Sequence, residues 1–270
     1  MKLKKQEFKK LYVKCLNDIL HIRPIDQQLR DVLAIYEYGY KDYNFRYYLE
    51  RSWIRAWQVY KLLPDNVDNK TIKILDIGSF FGNFALCFKR LGYDVTADEV
   101  YSYYGNTFVK LRAFLEQEGI KVLDEDFTIS LPETLLQDKY DVILCLAVLE
   151  HLAYSPEPLF NNIKKVMALN GCLILEVPNL TYWCKRMQLL KGMSILTPIE
   201  FIYKSKTPYM GHNHEYTEQE LKSLSQLVGL NIEQFVFYNY SLVSLRAKFI
   251  NMPALLFNNC KEIIAVKLKR

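Results

Sequence analysis

Lys73-Ile74-Leu75-Asp76-Ile77-Gly78-Ser79-Phe80-Phe81-Gly82 is the stretch on which the fold turns. Ile72, Ile74, Leu75 and Ile77 form a short apolar run that stops at Gly78, with Gly82 four residues further on. A run of this length, broken by glycines, predicts a buried parallel strand entering a loop and then a helix. Glycine has no Cβ and tolerates positive φ, so such a loop lets a ligand approach the backbone. The helix behind it offers unpaired N–H groups at its start.

Three kinds of ligand loop compete for this pattern. A P-loop requires G-x-x-x-x-G-K-[ST], but Asn83 follows Gly82. A dinucleotide fingerprint requires G-x-G-x-x-G, which residues 78–82 do not supply. The third kind carries an acid at the strand end, before the first glycine, and Asp76 stands there. A carboxylate in that place repels a pyrophosphate and attracts a cation. The plain alternative is a strand–turn–helix in which the glycines serve only the turn.

The segments that follow favour the ligand reading. Tyr93–Glu99 reads as a second strand ending in acids, and Glu99 lies 23 positions after Asp76. In nucleotide folds an acid at about this distance accepts hydrogen bonds from ribose hydroxyls. Glu99 is preferred for that role over Asp98; the alternative is that one of them caps the next helix. Asp124-Glu125-Asp126 closes a third apolar segment. Residues 139–152 run as an apolar strand into Glu150-His151. Ser155-Pro156 then opens a helix carrying Leu159, Ile163, Val166 and Met167, which Asn170-Gly171 is expected to stop. A strand over Cys172–Val177 completes the alternation.

In this order and spacing, the segments over residues 70–240 resemble the class I S-adenosylmethionine (SAM)-dependent methyltransferases. The first loop resembles their D-x-G-x-G-x-G motif, with Phe80 in place of the middle glycine. The resemblance implies a Rossmann-like α/β fold: a seven-stranded, mostly parallel sheet whose last strand is antiparallel. It implies SAM as cofactor, held by Asp76, Gly78, Ser79, Gly82 and Leu146, with Glu99 on the ribose and Asp126 on the adenine amino group. Amino-group methyltransferases acting on nucleic-acid bases often carry [DN]-P-P-[YF] after the fourth strand. Leu146-Ala147-Val148-Leu149 stands there instead, so no nucleic-acid partner is expected.

Composition sets bounds. The 270 residues are half hydrophobic, enough for a sizeable core. The six cysteines include no C-x-x-C pair, which points to reduced thiols in a cytoplasmic protein and away from a zinc site. The net charge of +5 is too mild to imply nucleic acid by itself. No run of 18 apolar residues is present, because charges and Pro198 interrupt residues 186–203.

The expected organisation is a helical extension or lid over residues 1–65 and a SAM-binding domain over 66–270, with insertions at 180–216 and 241–261. Residues 3–20 carry apolar side chains at helical spacing opposite lysines. Such a helix either contacts an anionic membrane surface or packs on its own domain with solvated lysines, the preferred reading. Residues 36–60 hold seven tyrosines and two tryptophans. They read as an aromatic lid whose Arg46-Tyr47-Tyr48 reaches the cofactor carboxylate, or as ordinary helix packing. Thr217-x-x-Glu220 is a capping box opening a helix.

Methyl transfer to a hydroxyl needs alignment and a base, since an alcohol is a poor nucleophile until its proton moves. The chain has four histidines, and three of them fall near the expected site: His151, His212 and His214. His212 is preferred as the base, with His151 and Glu150 beside it. A metal reading of these residues lacks the further acid that some quinone-pathway O-methyltransferases carry, so no metal is expected. The function expected is methyl transfer from SAM to an oxygen of a small molecule, a sugar or glycan precursor by resemblance. A polyketide, quinone or other natural product is the second acceptor class, and a non-catalytic SAM-binding regulatory or scaffold protein is the rival from another class. An NAD-dependent oxidoreductase is disfavoured by the missing fingerprint.

Overall fold

The computed structural model describes residues 2–22, 44–65, 67–204, 211–242 and 244–270. Residues 36–43 of the aromatic segment and 205–210 of the first insertion lie outside these.

Three helices come first: α1 (Lys5–Leu20), α2 (Phe45–Arg51) and α3 (Trp53–Leu62). The alternating part follows as β1 (Lys73–Ile77), α4 (Asn83–Arg90), β2 (Asp94–Asp98), α5 (Val109–Gln117), β3 (Lys121–Leu123), α6 (Glu133–Gln137), β4 (Tyr140–Leu146), α7 (Glu157–Val166) and β5 (Met167–Pro178). Then come α8 (Trp183–Leu190), α9 (Ile199–Lys204), α10 (Glu218–Val228), β6 (Asn231–Tyr238), α11 (Leu245–Ile250), α12 (Met252–Leu256) and β7 (Ile263–Lys269). The strands form one sheet in the order β3-β2-β1-β4-β5-β7-β6. β7 is antiparallel to both its neighbours, and the pairings from β3 through β5 are parallel.

The sheet is covered on both faces, which is why β1 reads as a continuous apolar run. Ile74 packs into the core under α1, α4 and α5, while its neighbours Leu75 and Ile77 pack into the opposite core under α7 and α10. Alternate side chains of a strand point to opposite faces, and both faces here are dry. All six cysteines are unpaired, five of them buried.

α1 belongs to the first core. Phe8, Tyr12, Cys15, Leu16 and Ile19 are buried, and the Tyr12 hydroxyl donates to Leu49 O and accepts from Asn83 Nδ2. Arg90 of α4 pairs with Asp18 at 2.5 Å. The apolar face that residues 3–20 offered to a membrane is therefore spent on the protein itself. Among the described residues no helix is long and apolar enough to cross a membrane.

The expected helix through Met167 ends one residue earlier. Met167 is already extended (φ −73°, ψ 130°) and pairs with Tyr140 on β4. Asn170-Gly171 does not stop the helix but lies within β5, where the register shifts between Tyr140 and Val142. A Cβ on Gly171 would stand 2.8 Å from Tyr140 O, so only glycine fits the strand's close approach there. The capping box at α10 forms as expected: Thr217 Oγ1 accepts from Glu220 N, and Glu220 Oε2 accepts from Thr217 N.

Candidate active site

The carboxyl ends of β1, β2, β4 and β5 open into a cavity of about 840 Å³. Open parallel sheets bind ligands at this end. Asp76, Gly78 and Ser79 line it from the first loop, and Asp98 and Glu99 from the end of β2. Asp126 and Leu146 line it from the loops after β3 and from β4. Glu150, His151 and His212 line it from the far side. Gly82 is not among the lining residues. Its φ is +64°, and a Cβ there would stand 2.6 Å from Leu115 Cδ1, so it serves the packing of loop on α5. Gly78 meets both needs: φ is +70°, and a Cβ would clash with Val148 Cγ2 at 2.4 Å.

Asp76 and Glu99 are buried, and burial is the main force raising each carboxyl to about 7. The Glu99 charge raises Asp76 further, while Arg55 pulls it down. Glu99 accepts hydrogen bonds from Phe80 N at 2.8 Å and Val100 N at 3.0 Å, which hold it against the loop. Asp98 accepts from Glu125 N, and its carboxyl is pushed well up by burial. Asp126 caps its own turn through Thr128.

Phe80 takes up the conformation a glycine would adopt, with φ at +51°. Its ring packs against Phe81 at 4.7 Å between centroids, and against Phe45, Tyr104 and Phe108 at about 6 Å. A left-handed φ costs a side-chain residue roughly 1–2 kcal/mol. The aromatic cluster offsets that cost and ties the cofactor loop to α2 through Phe45.

The cation inside the cavity is Arg55, not Arg46. Arg46 forms an exposed pair with Glu50 on its own helix. Arg55 is buried, bonds Glu176 of β5 through Nε at 2.6 Å, and donates from Nη1 to the Tyr48 hydroxyl. Tyr238 donates to the second oxygen of Glu176. This ion pair fastens α3 over the strand ends. The sequence signal for it is a lone arginine on the buried side of α3, beside Ala56 and Val59.

His212 lies across the cavity from the first loop. Its Nδ1 is 3.1 Å from Glu215 Oε1, and Lys185 holds the other oxygen of Glu215. That bond fixes the ring and leaves Nε2 as the nitrogen for proton traffic. Burial lowers the basicity of His212, but the Glu215 hydrogen bond and the Glu150 charge outweigh it and raise the imidazole above its ordinary value. The rings of His151 and His212 meet edge-on at 4.8 Å. His214 is outside the cavity, bonded to exposed Glu220. Glu150 is only 1 % exposed, and neither of its carboxylate oxygens has a hydrogen-bond partner. Burial raises this carboxyl to about 7 as well. Donor atoms of Glu150, His151 and His212 all lie within 4.8 Å of one another.

A doubly covered parallel sheet, an acid before a glycine loop and a second acid ending β2 together define a nucleoside-type site built for a cation. The comparisons with known proteins agree. Residues 45–234 match the family described as "Methyltransferase domain", and the chain belongs to that family, whose class I members use SAM. A ubiquinone biosynthesis O-methyltransferase of Rickettsia akari is 26% identical over 199 residues, spanning 68% of this chain and 76% of that protein. One from Rickettsia conorii is 30% identical over 115 residues, 42% of this chain and 37% of the relative, so the match spans well under half of its length. A SAM-dependent methyltransferase structure from Archaeoglobus fulgidus superposes with a TM-score of 0.54 at 17% identity, covering 85% of this chain and all of that one.

SAM is the cofactor of this class, and the residues present fit it. Ser79 Oγ is buried in the cavity wall with no partner. Gly78 lets the Val148 side chain close against the loop, and the buried acids Asp76 and Glu99 answer a cationic ligand with hydroxyl donors.

Proposed function

We propose that this chain transfers the SAM methyl group to a hydroxyl oxygen of a small molecule. When bound, the cofactor supplies an electrophilic methyl on a sulfonium. Asp76, Gly78, Ser79, Glu99, Asp126 and Leu146, all of which line the cavity, would hold the cofactor. His212 takes the hydroxyl proton at Nε2, positioned by Glu215 and, behind it, Lys185. Glu150 accepts from a donor on the acceptor and orients it. His151 packs against the base. The observation that carries this reading is His212, held by Glu215, lining the cavity beside the unpartnered carboxylate of Glu150.

For the acceptor, the likeness to ubiquinone biosynthesis O-methyltransferases favours a quinone-pathway or related natural product over the sugar that the sequence motifs suggest. Label from methyl-labelled SAM should enter panels of phenolic and quinone-precursor acceptors more readily than nucleotide sugars. Incorporation only into sugars would reverse that preference. No incorporation into any extract component would leave the non-catalytic reading standing. The reaction should survive EDTA; its loss, restored by a divalent cation, would recast Glu150, His151 and His212 as metal ligands.

The Glu215 bond predicts a pH effect. A histidine base works only when neutral, so turnover should rise with pH through a value above the ordinary 6.5. Glu215→Gln removes a cause of the upward shift, and the acid limb of kcat should move to lower pH. An unmoved limb would detach Glu215 from the base.

A further inference from the structure

We propose that the two insertions form one face that docks on an anionic lipid bilayer. They lie side by side. The Cys184 Sγ of α8 bonds Asn251, which joins α11 to α12, and Arg186 donates to Asn259 O. Thr181 and Asn179 donate to the same carbonyl of Asn259. Asn179 directly follows β5, so the face grows from the strand end that borders the cavity.

The outer side chains are of the wrong kind for water. Leu190 is 77 % exposed, Leu245 85 % and Phe249 81 %, with Met193 and Leu256 also exposed. Apolar residues scattered singly are normal on a surface, but this concentration in two adjoining segments marks a binding face. No residue of α8, α9 or α11 is buried. Among the described residues, none of these helices contributes to either hydrophobic core.

The charge names the occupant. Residues 183–204 hold three basic side chains (Arg186, Lys191, Lys204) against Glu200, leaving aside Lys185, which is paired with Glu215. Residues 244–261 hold three (Arg246, Lys248, Lys261) and no acid. Six cations to one anion, set among exposed leucines and phenylalanine, is the composition of an interfacial segment that buries its apolar side in the headgroup boundary and meets anionic lipid with its cations. A second copy of the chain would bring like charges together and is the poorer fit. α1 has the same lysine-rich pattern but a buried apolar face, and takes no part.

Flotation of the full chain with vesicles tests this. Binding is expected to vesicles of phosphatidylcholine mixed with phosphatidylglycerol, to weaken in high salt, and to be slight with phosphatidylcholine alone. Leu190→Ser with Phe249→Ser, and separately Arg246→Glu with Lys248→Glu, should each lower the partition coefficient about tenfold or more. These side chains are exposed, so folding should persist, and circular dichroism checks it. Lys10→Glu with Lys14→Glu on α1 should leave partitioning nearly unchanged. No binding to the anionic vesicles, equal loss in the α1 variant, or a dimer without lipid that the Leu190/Phe249 variant dissolves would each overturn the proposal.

Discussion

His212→Ala is expected to lower kcat by about 10²–10⁴-fold, the usual worth of a positioned base, while S-adenosylhomocysteine binds as tightly as to the unaltered chain. The separation follows from the geometry. His212 sits on the loop before α10, and its hydrogen bonds run to Glu215, not to the acids at the ends of β1 and β2. It is also part-exposed, so its removal leaves no buried void. Glu150→Gln should act differently. It keeps the shape but removes the charge, so it should raise the acceptor KM and shift His212 downward, because the Glu150 charge helps raise it. Single-turnover rates and calorimetry with S-adenosylhomocysteine separate the two effects. Full activity in His212→Ala would remove it from the chemistry. Parallel loss of cofactor binding would make it a structural residue.

What the sequence disclosed of this site was local, and what it withheld was distant. The strand, the acid and the glycine of residues 73–82 fall within ten positions, so their pattern survives in one dimension. The capping box at 217–220 is legible for the same reason. Arg55 is not, because its partner Glu176 lies 121 residues away. Nothing local distinguishes Arg55 from Arg46, whose neighbouring tyrosines look equally apt for a lid. Gly82 reads as part of the ligand loop, yet its smallness answers to Leu115 on another helix. The amphipathic pattern of residues 3–20 fits a core and a membrane equally, since both are apolar; only the burial of Tyr12 and Phe8 decides. Asn170-Gly171 reads as a helix stop because a bulge and a stop ask for the same residue. Phe80 is the reverse case. Its side chain should forbid the loop conformation, and an aromatic cluster drawn from residues 45 to 108 permits it.

Asp76→Asn and Glu99→Gln should each weaken S-adenosylhomocysteine about 10–100-fold, the range that a lost hydrogen bond to a charged group implies. The two acids end neighbouring strands that run in register, Asp76 opposite Ala97 and Ile77 opposite Asp98. Burial holds both carboxyls near 7, so at neutral pH each is part-protonated before a ligand arrives. An ammonium or a ribose hydroxyl donates to the ionised form and favours it. Binding must therefore expel protons when the pH is below about 7, and costs nothing extra above it. The sign follows: affinity should rise as pH goes from 6 to 8, and calorimetry in buffers of different ionisation enthalpy should register proton release that shrinks towards pH 8. Asp76→Asn cannot ionise, so its affinity should be lower and its pH dependence flatter. Glu99→Gln should share the loss. It still offers one oxygen, for either Phe80 N–H or Val100 N–H, so the strained loop should loosen without unfolding. Unchanged affinity in both variants, or a flat pH profile for the parent chain, would mean that the acids before and after the glycine loop are not what holds the cofactor.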